Sequence, residues 1–235
     1  MLIRFLRPLA APALVLAGLA VQQSSALGAF FVTAASGGSA APGATYANLD
    51  LPTQSGGTVT QNGLTIAFSA TGGAGIVIGT SQNQFQAPVL SGANNMFFEA
   101  STPAGPDTTA YASTGTGSAT LTFGTTPQFY LGLLIGSVDS YNTLSFFSGT
   151  TLLQSFTGTQ IAAFATSNSS GTLYANFTST IAFTSVVATS TQNSFEFDNV
   201  AFGGAVPEPS SMALCSIAGV IGMVVARKRA KRAIA

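Results

Sequence analysis

Histidine and tryptophan are absent from this chain of 235 residues, and cysteine occurs only once, as Cys215. Without histidine the chain lacks the usual general base and the commonest metal-binding side chain. A single cysteine can form no internal disulfide and supplies no cysteine-based metal site. No local motif pairs two carboxylates, and tryptophan, which would stack on sugars in a glycosidase cleft, is missing. These absences favour a protein that is not an enzyme and that needs no cofactor.

Charged residues are scarce, because the chain holds only seven basic and seven acidic side chains. The basic residues lie at the two ends, where Arg4 and Arg7 precede the body of the chain and the other five follow it. The body between them has only acidic side chains, which are Asp50, Glu99, Asp107, Asp139, Glu196, Asp198 and Glu208. A nucleic-acid partner requires cations that neutralise phosphates, so we expect no binding of nucleic acid by this body.

The first 26 residues have the three parts of a secretion signal. Arg4 and Arg7 form a positive start, residues 9–21 are apolar, and Ser24-Ser25-Ala26 offers small residues at a cleavage site. The apolar run is shorter than the roughly 20 residues that span a bilayer. We therefore predict a signal peptide at residues 1–26, export through the Sec translocon and cleavage after Ala26.

The last 30 residues contain an extended motif, an apolar stretch and a basic cluster, in that order. The motif is Val206-Pro207-Glu208-Pro209, the uncharged stretch covers residues 210–226, and the cluster consists of Arg227, Lys228, Arg229, Lys231 and Arg232. The prolines hold the motif outside regular structure, as a protease substrate requires. The stretch can form a helix of about 25 Å, close to the ~30 Å hydrocarbon core of a membrane. The cations that follow predict that this end is cytoplasmic and that the body lies outside.

This ordered tail resembles the PEP-CTERM sorting signal of exported bacterial surface proteins. The resemblance implies that exosortase, a membrane-embedded protease-transpeptidase, cuts near Pro207-Glu208-Pro209. It also implies that residues 206–235 are a transient anchor in the inner membrane and that the mature protein lies at the cell surface or outside the cell. The alternative is a plain C-terminal membrane anchor. Cys215, within the apolar stretch, is interpreted as a small apolar filler without a role of its own.

Residues 27–205 are predicted to form one all-β domain, an antiparallel β-sandwich of a jelly-roll-like type. Apolar and polar residues alternate in short runs between clusters of Gly, Ser, Asn and Thr. The alternating apolar positions are Leu64, Ile66 and Phe68, then Leu121 and Phe123, then Leu173, Ala175 and Phe177. Residues 129–135 are apolar on both faces and predict a central strand, and residues 181–188 are interpreted in the same way. Residues 35–63 and 101–117 are predicted to be surface loops.

Two segments of the body hold scarce acidic residues beside asparagines. Residues 136–144 read Gly-Ser-Val-Asp-Ser-Tyr-Asn-Thr-Leu, and residues 195–202 read Phe-Glu-Phe-Asp-Asn-Val-Ala-Phe. They resemble the Gly-Ser-Val/Ile-Asp-x-Tyr-Asn and Phe-Glu-x-Asp-Asn signatures of one family of exosortase-dependent surface proteins. That resemblance implies the sandwich fold and a surface location, without an established activity. It departs from the family at Ile135, where the family has an aromatic residue.

These segments supply five side chains of a candidate site, which are Asp139, Asn142, Glu196, Asp198 and Asn199. Hard cations such as Ca²⁺ prefer several carboxylate and amide oxygens, and a sugar could use the same groups as hydrogen-bond acceptors. The alternative is purely local structure, in which Asp139 and Asn142 cap a turn while Asp198 and Asn199 shape a bulge. A slip of phase near Asp198 is expected, because the apolar parity changes along this segment.

Together these features predict an exported bacterial surface or extracellular-matrix protein that exosortase sorts and processes. Its expected role is structural, in the cell envelope, in a biofilm or in association with exopolysaccharide. The alternative is a surface module that binds calcium or a glycan, with a hydrolase as a distant third.

Overall fold

The computed structural model describes residues 29–91, 105–166 and 171–204. The predicted signal peptide at residues 1–26 and the predicted sorting tail at residues 206–235 lie outside these ranges. Within the described ranges no helix is both long enough and apolar enough to cross a membrane. The expected membrane span at residues 210–226 does not belong to the described part of the chain.

The described residues form sixteen strands and one short helix. In chain order the strands are β1 (Phe30–Ala35), β2 (Thr45–Ala47), β3 (Gln54–Ser55), β4 (Gly57–Gln61), β5 (Leu64–Phe68), β6 (Gly75–Ile78), β7 (Val89–Leu90), β8 (Gly105–Pro106), β9 (Ala110–Ser113), β10 (Ser118–Phe123), β11 (Gln128–Ile135), β12 (Asn142–Ser148), β13 (Thr151–Thr157), β14 (Leu173–Phe183), β15 (Ser185–Ser190) and β16 (Glu196–Gly203). The helix, α1 (Gly158–Ala163), begins after Thr157, whose side chain accepts a hydrogen bond from the N–H of Gln160. This cap satisfies one of the free N–H groups of the first turn.

The strands form two antiparallel sheets and a small β7-β8 pair. The larger sheet has the order β1-β14-β11-β16-β9-β6-β3, with β2 also paired to β16, and the smaller sheet has the order β13-β12-β15-β10-β5-β4. The sheets pack face to face through phenylalanines. Phe146 of β12 contacts Phe177 and Phe183 of β14, with ring centroids 5.3 and 5.1 Å apart. Phe123 of β10 contacts Phe202 of β16 at 5.2 Å. The prediction of an antiparallel all-β sandwich is confirmed.

Alternation of apolar residues places one face of each predicted strand in this core. Leu64 and Ile66 of β5 are buried in it, and so are Leu121 of β10 and Phe177 of β14. Ala67, which lies between two core residues of β5, is exposed on the other face. Because side chains alternate between the faces of a strand, this pattern sets the register of each strand.

Strand β11 is the central strand that the sequence predicts, since it is paired with β14 on one edge and with β16 on the other. Its inner face joins the main core. On its outer face Tyr130 and Leu134 join Tyr174 and Leu90 in a second apolar cluster. At Gly132 a Cβ atom would overlap with the Tyr130 hydroxyl, so a larger residue would displace that tyrosine. Both faces of the strand are therefore covered.

The prediction of a second central strand at residues 181–188 is wrong. Strand β14 ends at Phe183 in the larger sheet, and β15 begins at Ser185 in the smaller sheet. Phe183 and Val186 both enter the core, but they do so from opposite sheets. The apolar residues before and after Thr184-Ser185 thus belong to two strands in different sheets, and not to one strand covered on both faces.

The prediction of surface loops at residues 35–63 and 101–117 is also wrong in part. The first range contains β2, β3 and β4. The described part of the second contains β8 and β9, and all four residues of β9 are buried. These strands are short and rich in Gly, Ala and Thr, so they lack the apolar alternation from which a strand is recognised.

Truncation of Phe146 tests the aromatic packing between the sheets. Phe146 is 0 % exposed and also contacts Phe30 and Phe156. Phe146→Ala is expected to lower the free energy of unfolding by about 3–5 kcal/mol, because it leaves a cavity at the centre of the core. The matched control is Phe31→Ala, since Phe31 is 52 % exposed; its expected change stays within about 0.5 kcal/mol. Urea unfolding followed by circular dichroism measures both, and equal losses would contradict the packing described.

Candidate functional site

A cleft of about 770 Å³ lies at one end of the sandwich, where β11 ends and β14 and β16 begin. Its walls are three loops, at residues 79–88 after β6, residues 136–141 after β11 and residues 191–195 before β16. The side chain of Glu196 lies where these loops meet, and we call the space the Glu196 cleft.

Glu196 is the first residue of β16, and only 2 % of it is exposed. Its Oε1 accepts a hydrogen bond from the Ser194 hydroxyl at 2.6 Å and another from the backbone N–H of Gln86 at 2.9 Å. Its Oε2 accepts a hydrogen bond from the Ser137 hydroxyl at 3.1 Å. One carboxyl group therefore ties all three loops together. Burial raises the pKa of Glu196, and the hydrogen bonds from these neutral donors oppose that shift.

The two segments that resemble family signatures, at residues 136–144 and 195–202, are in direct contact here. The backbone N–H of Gly136 donates to the carbonyl oxygen of Glu196 at 2.8 Å. A Cβ atom at Gly136 would lie 2.8 Å from the Cβ atom of Glu196, closer than real Cβ atoms approach. Glycine at position 136 thus permits the close contact between the segments. The sequence singled out both segments, but it did not predict this contact.

Asn142 belongs to a turn, as expected from the alternative in which Asp139 and Asn142 cap a turn and do not bind a ligand. Its N–H donates to the carbonyl of Asp139 at 3.0 Å, and its side-chain amide donates to the carbonyl of Ser137 at 3.0 Å. Its side-chain oxygen accepts a hydrogen bond from the Ser190 hydroxyl at 2.7 Å. Both ends of this buried amide are therefore used within the fold.

Asp139 has a different role from Asn142, because it lines the cleft together with Tyr141. Burial, the neighbouring carboxylate of Asp139 and the negative charge of Glu196 together raise the pKa of Tyr141 to about 12. Tyr141 therefore remains a neutral phenol at physiological pH. Both residues line the cleft, and together they form the wall that follows β11.

The predicted bulge in β16 is confirmed. Pairing of β16 with β11 shifts register between Asp198 and Ala201, where β16 has one extra residue. Asn199 lies at this point with φ of 49°, in the left-handed region that asparagine tolerates better than most residues. Because of the extra residue, Phe197 and Val200 both face the main core.

The structure separates the five candidate oxygen donors that the sequence suggested. Asp139 and Glu196 line the cleft, whereas Asn142, Asp198 and Asn199 are buried and do not line it. Among the residues described, no three histidine, cysteine, aspartate or glutamate side chains are grouped so that they could hold a metal ion. Binding of calcium stays a prediction.

No sequence motif marks the loop at residues 79–88, which supplies many of the polar side chains of the cleft. The loop is held by hydrogen bonds from the N–H of Ala87 to the Thr80 hydroxyl, 3.1 Å, and from the side-chain amide of Asn193 to the carbonyl of Asn83, 2.8 Å. Its segment at residues 81–86, Ser-Gln-Asn-Gln-Phe-Gln, is rich in amide side chains, and this composition could have identified it as a candidate binding loop. No local pattern relates that segment to Glu196, which lies 110 residues after Gln86.

Comparison with known proteins adds no relative, since no family model, no curated protein and no solved structure matches this chain.

The raised pKa of Glu196 predicts a specific dependence of stability on pH. The folded state binds this proton more tightly than the unfolded state, so the contribution of Glu196 is fully present below its ordinary pKa of 4.5. That contribution is lost as pH rises through the folded-state pKa. Glu196→Gln cannot titrate, so its free energy of unfolding should rise relative to wild type as pH increases from below 4.5 to neutral.

Urea unfolding of the wild type and of Glu196→Gln at a series of pH values measures this trend. The other carboxyl groups titrate in both proteins, so their effect cancels in the difference between the two free energies of unfolding. A difference that stays constant with pH, or that falls, would show that burial does not raise the pKa of Glu196.

Proposed function

We propose that this chain is an exported bacterial surface or extracellular-matrix protein that exosortase sorts and processes. The observation that carries the proposal is the ordered tail, in which Pro207-Glu208-Pro209 precedes an uncharged stretch and a cluster of five cations. The positive-inside rule assigns that cluster to the cytoplasm, and the signal at residues 1–26 agrees with the same topology. Its partners are then the Sec translocon, exosortase and, transiently, the inner membrane.

The body is suited to this location. It has no basic side chain between Arg7 and Arg227, and it folds without a disulfide bond because its segment of the chain contains no cysteine. The sandwich is held together by phenylalanine packing and by backbone pairing. These properties support a structural role in the envelope, in a biofilm or alongside exopolysaccharide.

We further propose that the sandwich is jelly-roll-like. If the strands from β9 to β16 are counted from first to eighth, the larger sheet contains the order first, eighth, third, sixth. The smaller sheet contains the order second, seventh, fourth, fifth. This order supports two nested Greek keys, the connectivity of a jelly roll.

The alternative function is a surface module that binds calcium or a glycan, and the observation that favours it is the Glu196 cleft. A purely structural protein has no need for a cleft whose loops are fixed by a buried carboxyl group. Calorimetric titration with CaCl₂ and with exopolysaccharide distinguishes the two functions, because a purely structural protein gives no heat of specific binding.

Deletion of the exosortase gene from the host tests the proposed sorting. We expect a larger species that stays in the inner membrane, because the anchor at residues 206–235 is no longer removed. Immunoblots of inner-membrane, outer-membrane and medium fractions, with intact mass of the surface form, measure the change.

Replacement of Pro207, Glu208 and Pro209 with alanine should give the same larger, membrane-bound species in a normal host. The matched control is Pro52→Ala, which removes an exposed proline from the body and should leave processing unchanged. If the protein still reached the surface at the processed size in the deletion strain, or with the alanine replacements, exosortase sorting would be rejected. Plain anchoring or cleavage by another protease would then replace it.

A further inference from the structure

We propose that the Glu196 cleft is a binding site for a short segment of an uncharged, polyhydroxylated glycan. The inference deepens the proposed function, because it rests on the body being outside the cell, where such glycans are found. The cleft thereby gains a ligand class, and the loop at residues 79–88, which carries no sequence signature, gains a role.

The cleft is a formed site of suitable size. Its volume of about 770 Å³ lies within the range of about 300–1,000 Å³ for small-molecule pockets. Its loops are fixed to one another by the Glu196 carboxyl group and by the contact between Asn193 and Asn83. Preorganised walls lower the entropy lost on binding, which favours affinity for a flexible ligand such as an oligosaccharide.

The chemistry of the walls matches the hydroxyl groups of a sugar. Most lining side chains are uncharged amides or hydroxyls, among them Gln82, Gln84 and Ser81. Amides and hydroxyls both donate and accept hydrogen bonds, as the hydroxyl groups of a sugar also do. Phe85 and Tyr141 add aromatic surface to the lining, which suits the apolar faces of sugar rings.

Electrostatics select against anionic glycans and against nucleotides. The cleft contains two carboxyl groups, from Asp139 and Glu196, and its lining includes no lysine or arginine. A uronic-acid or phosphate group would therefore meet like charge without a cation to offset it.

A calcium ion is a weaker fit to the cleft than a sugar. The oxygens of Glu196 already accept three hydrogen bonds, and Asp139 is the only other carboxyl group in the lining of the cleft. Ca²⁺ takes about six to eight oxygen ligands, so it would have to displace these donors. A neutral sugar can instead add hydrogen bonds at the exposed amides without breaking those that fix the loops.

The test uses full-length protein in a detergent without a sugar headgroup, so that the detergent does not compete. The probes are the neutral and the acidic oligosaccharide fractions of partly hydrolysed host exopolysaccharide, separated by anion exchange, and CaCl₂ alone. Saturation-transfer NMR detects binding, and calorimetry gives Kd. We expect the neutral fraction to bind, and Tyr141→Ala to weaken its Kd about tenfold through loss of a stacking surface and a hydrogen bond.

Tyr46→Ala is the matched control, since Tyr46 is 43 % exposed and does not line the cleft; its Kd should equal that of wild type. If Tyr141→Ala fails to fold by circular dichroism, Gln82→Ala replaces it, because Gln82 is an exposed lining residue. Absence of binding by the neutral fraction, tighter binding of the acidic fraction, a response to CaCl₂ alone, or equal Kd values for wild type and the cleft variants would each overturn the proposal.

The binding test and the sorting test fail independently. Loss of glycan binding with intact exosortase processing rejects the glycan site and leaves the proposed function standing. Normal glycan binding by a protein that exosortase does not process rejects the proposed sorting and leaves the cleft assignment standing.

Discussion

Strand β16 must place apolar side chains in the core on both sides of a buried Asp-Asn pair, and one extra residue makes this possible. Phe197 enters the core before the bulge, and Val200 and Phe202 enter it afterwards. Without the extra residue, Val200 and Phe202 would point toward the outer face of the sheet. The contact between Phe202 and Phe123 would then be lost. The same strand pairs with β9 near Glu196 and with β2 near Val200. The packing of β16 in the core therefore depends on where the strand changes its phase, and Glu196 of the cleft belongs to the same strand.

Burial of Glu196 is costly, because a carboxylate loses its hydration when it enters the protein. No ion pair within the body can offset this cost, since the chain has no cation between Arg7 and Arg227. The offset comes instead from neutral donors, one backbone N–H and two hydroxyl groups. These bonds join loops that are distant in sequence. A residue that costs stability in order to fix three loops is more easily explained by a need for the cleft than by a need of the fold.

The sandwich could be predicted from sequence because alternation of Leu, Ile and Phe is a local signal that burial enforces. Strands β5, β10 and β14 carry that signal. Strand β9 does not, since its Ala-Tyr-Ala-Ser residues are buried on both faces. The range from residue 181 to 188 was misleading, because its apolar residues belong to two strands in different sheets.

Only part of the candidate site could be predicted from the sequence. Scarcity of charge drew attention to Asp139 and Glu196, and the change of parity indicated the bulge near Asp198. The third wall, at residues 79–88, is joined to Glu196 by a backbone N–H, and every residue except proline has such a group. A hydrogen bond from a backbone N–H does not depend on the side chain, so the sequence does not reveal which residue donates it. This is why the amide-rich loop was visible in the sequence while its position in the cleft was not.

The distribution of charge connects the proposed processing with the proposed ligand. If residues 1–26 and the tail beyond Pro209 are removed, every lysine and arginine leaves with them. The mature protein would then have only acidic side chains among its charged residues, and no lysine or arginine would attract an acidic polymer. Such a protein cannot enter an acidic matrix through charge attraction without bridging cations. Attachment to a matrix would then have to use uncharged contacts, and the Glu196 cleft, with its amides, hydroxyls and aromatic rings, is where the structure offers them.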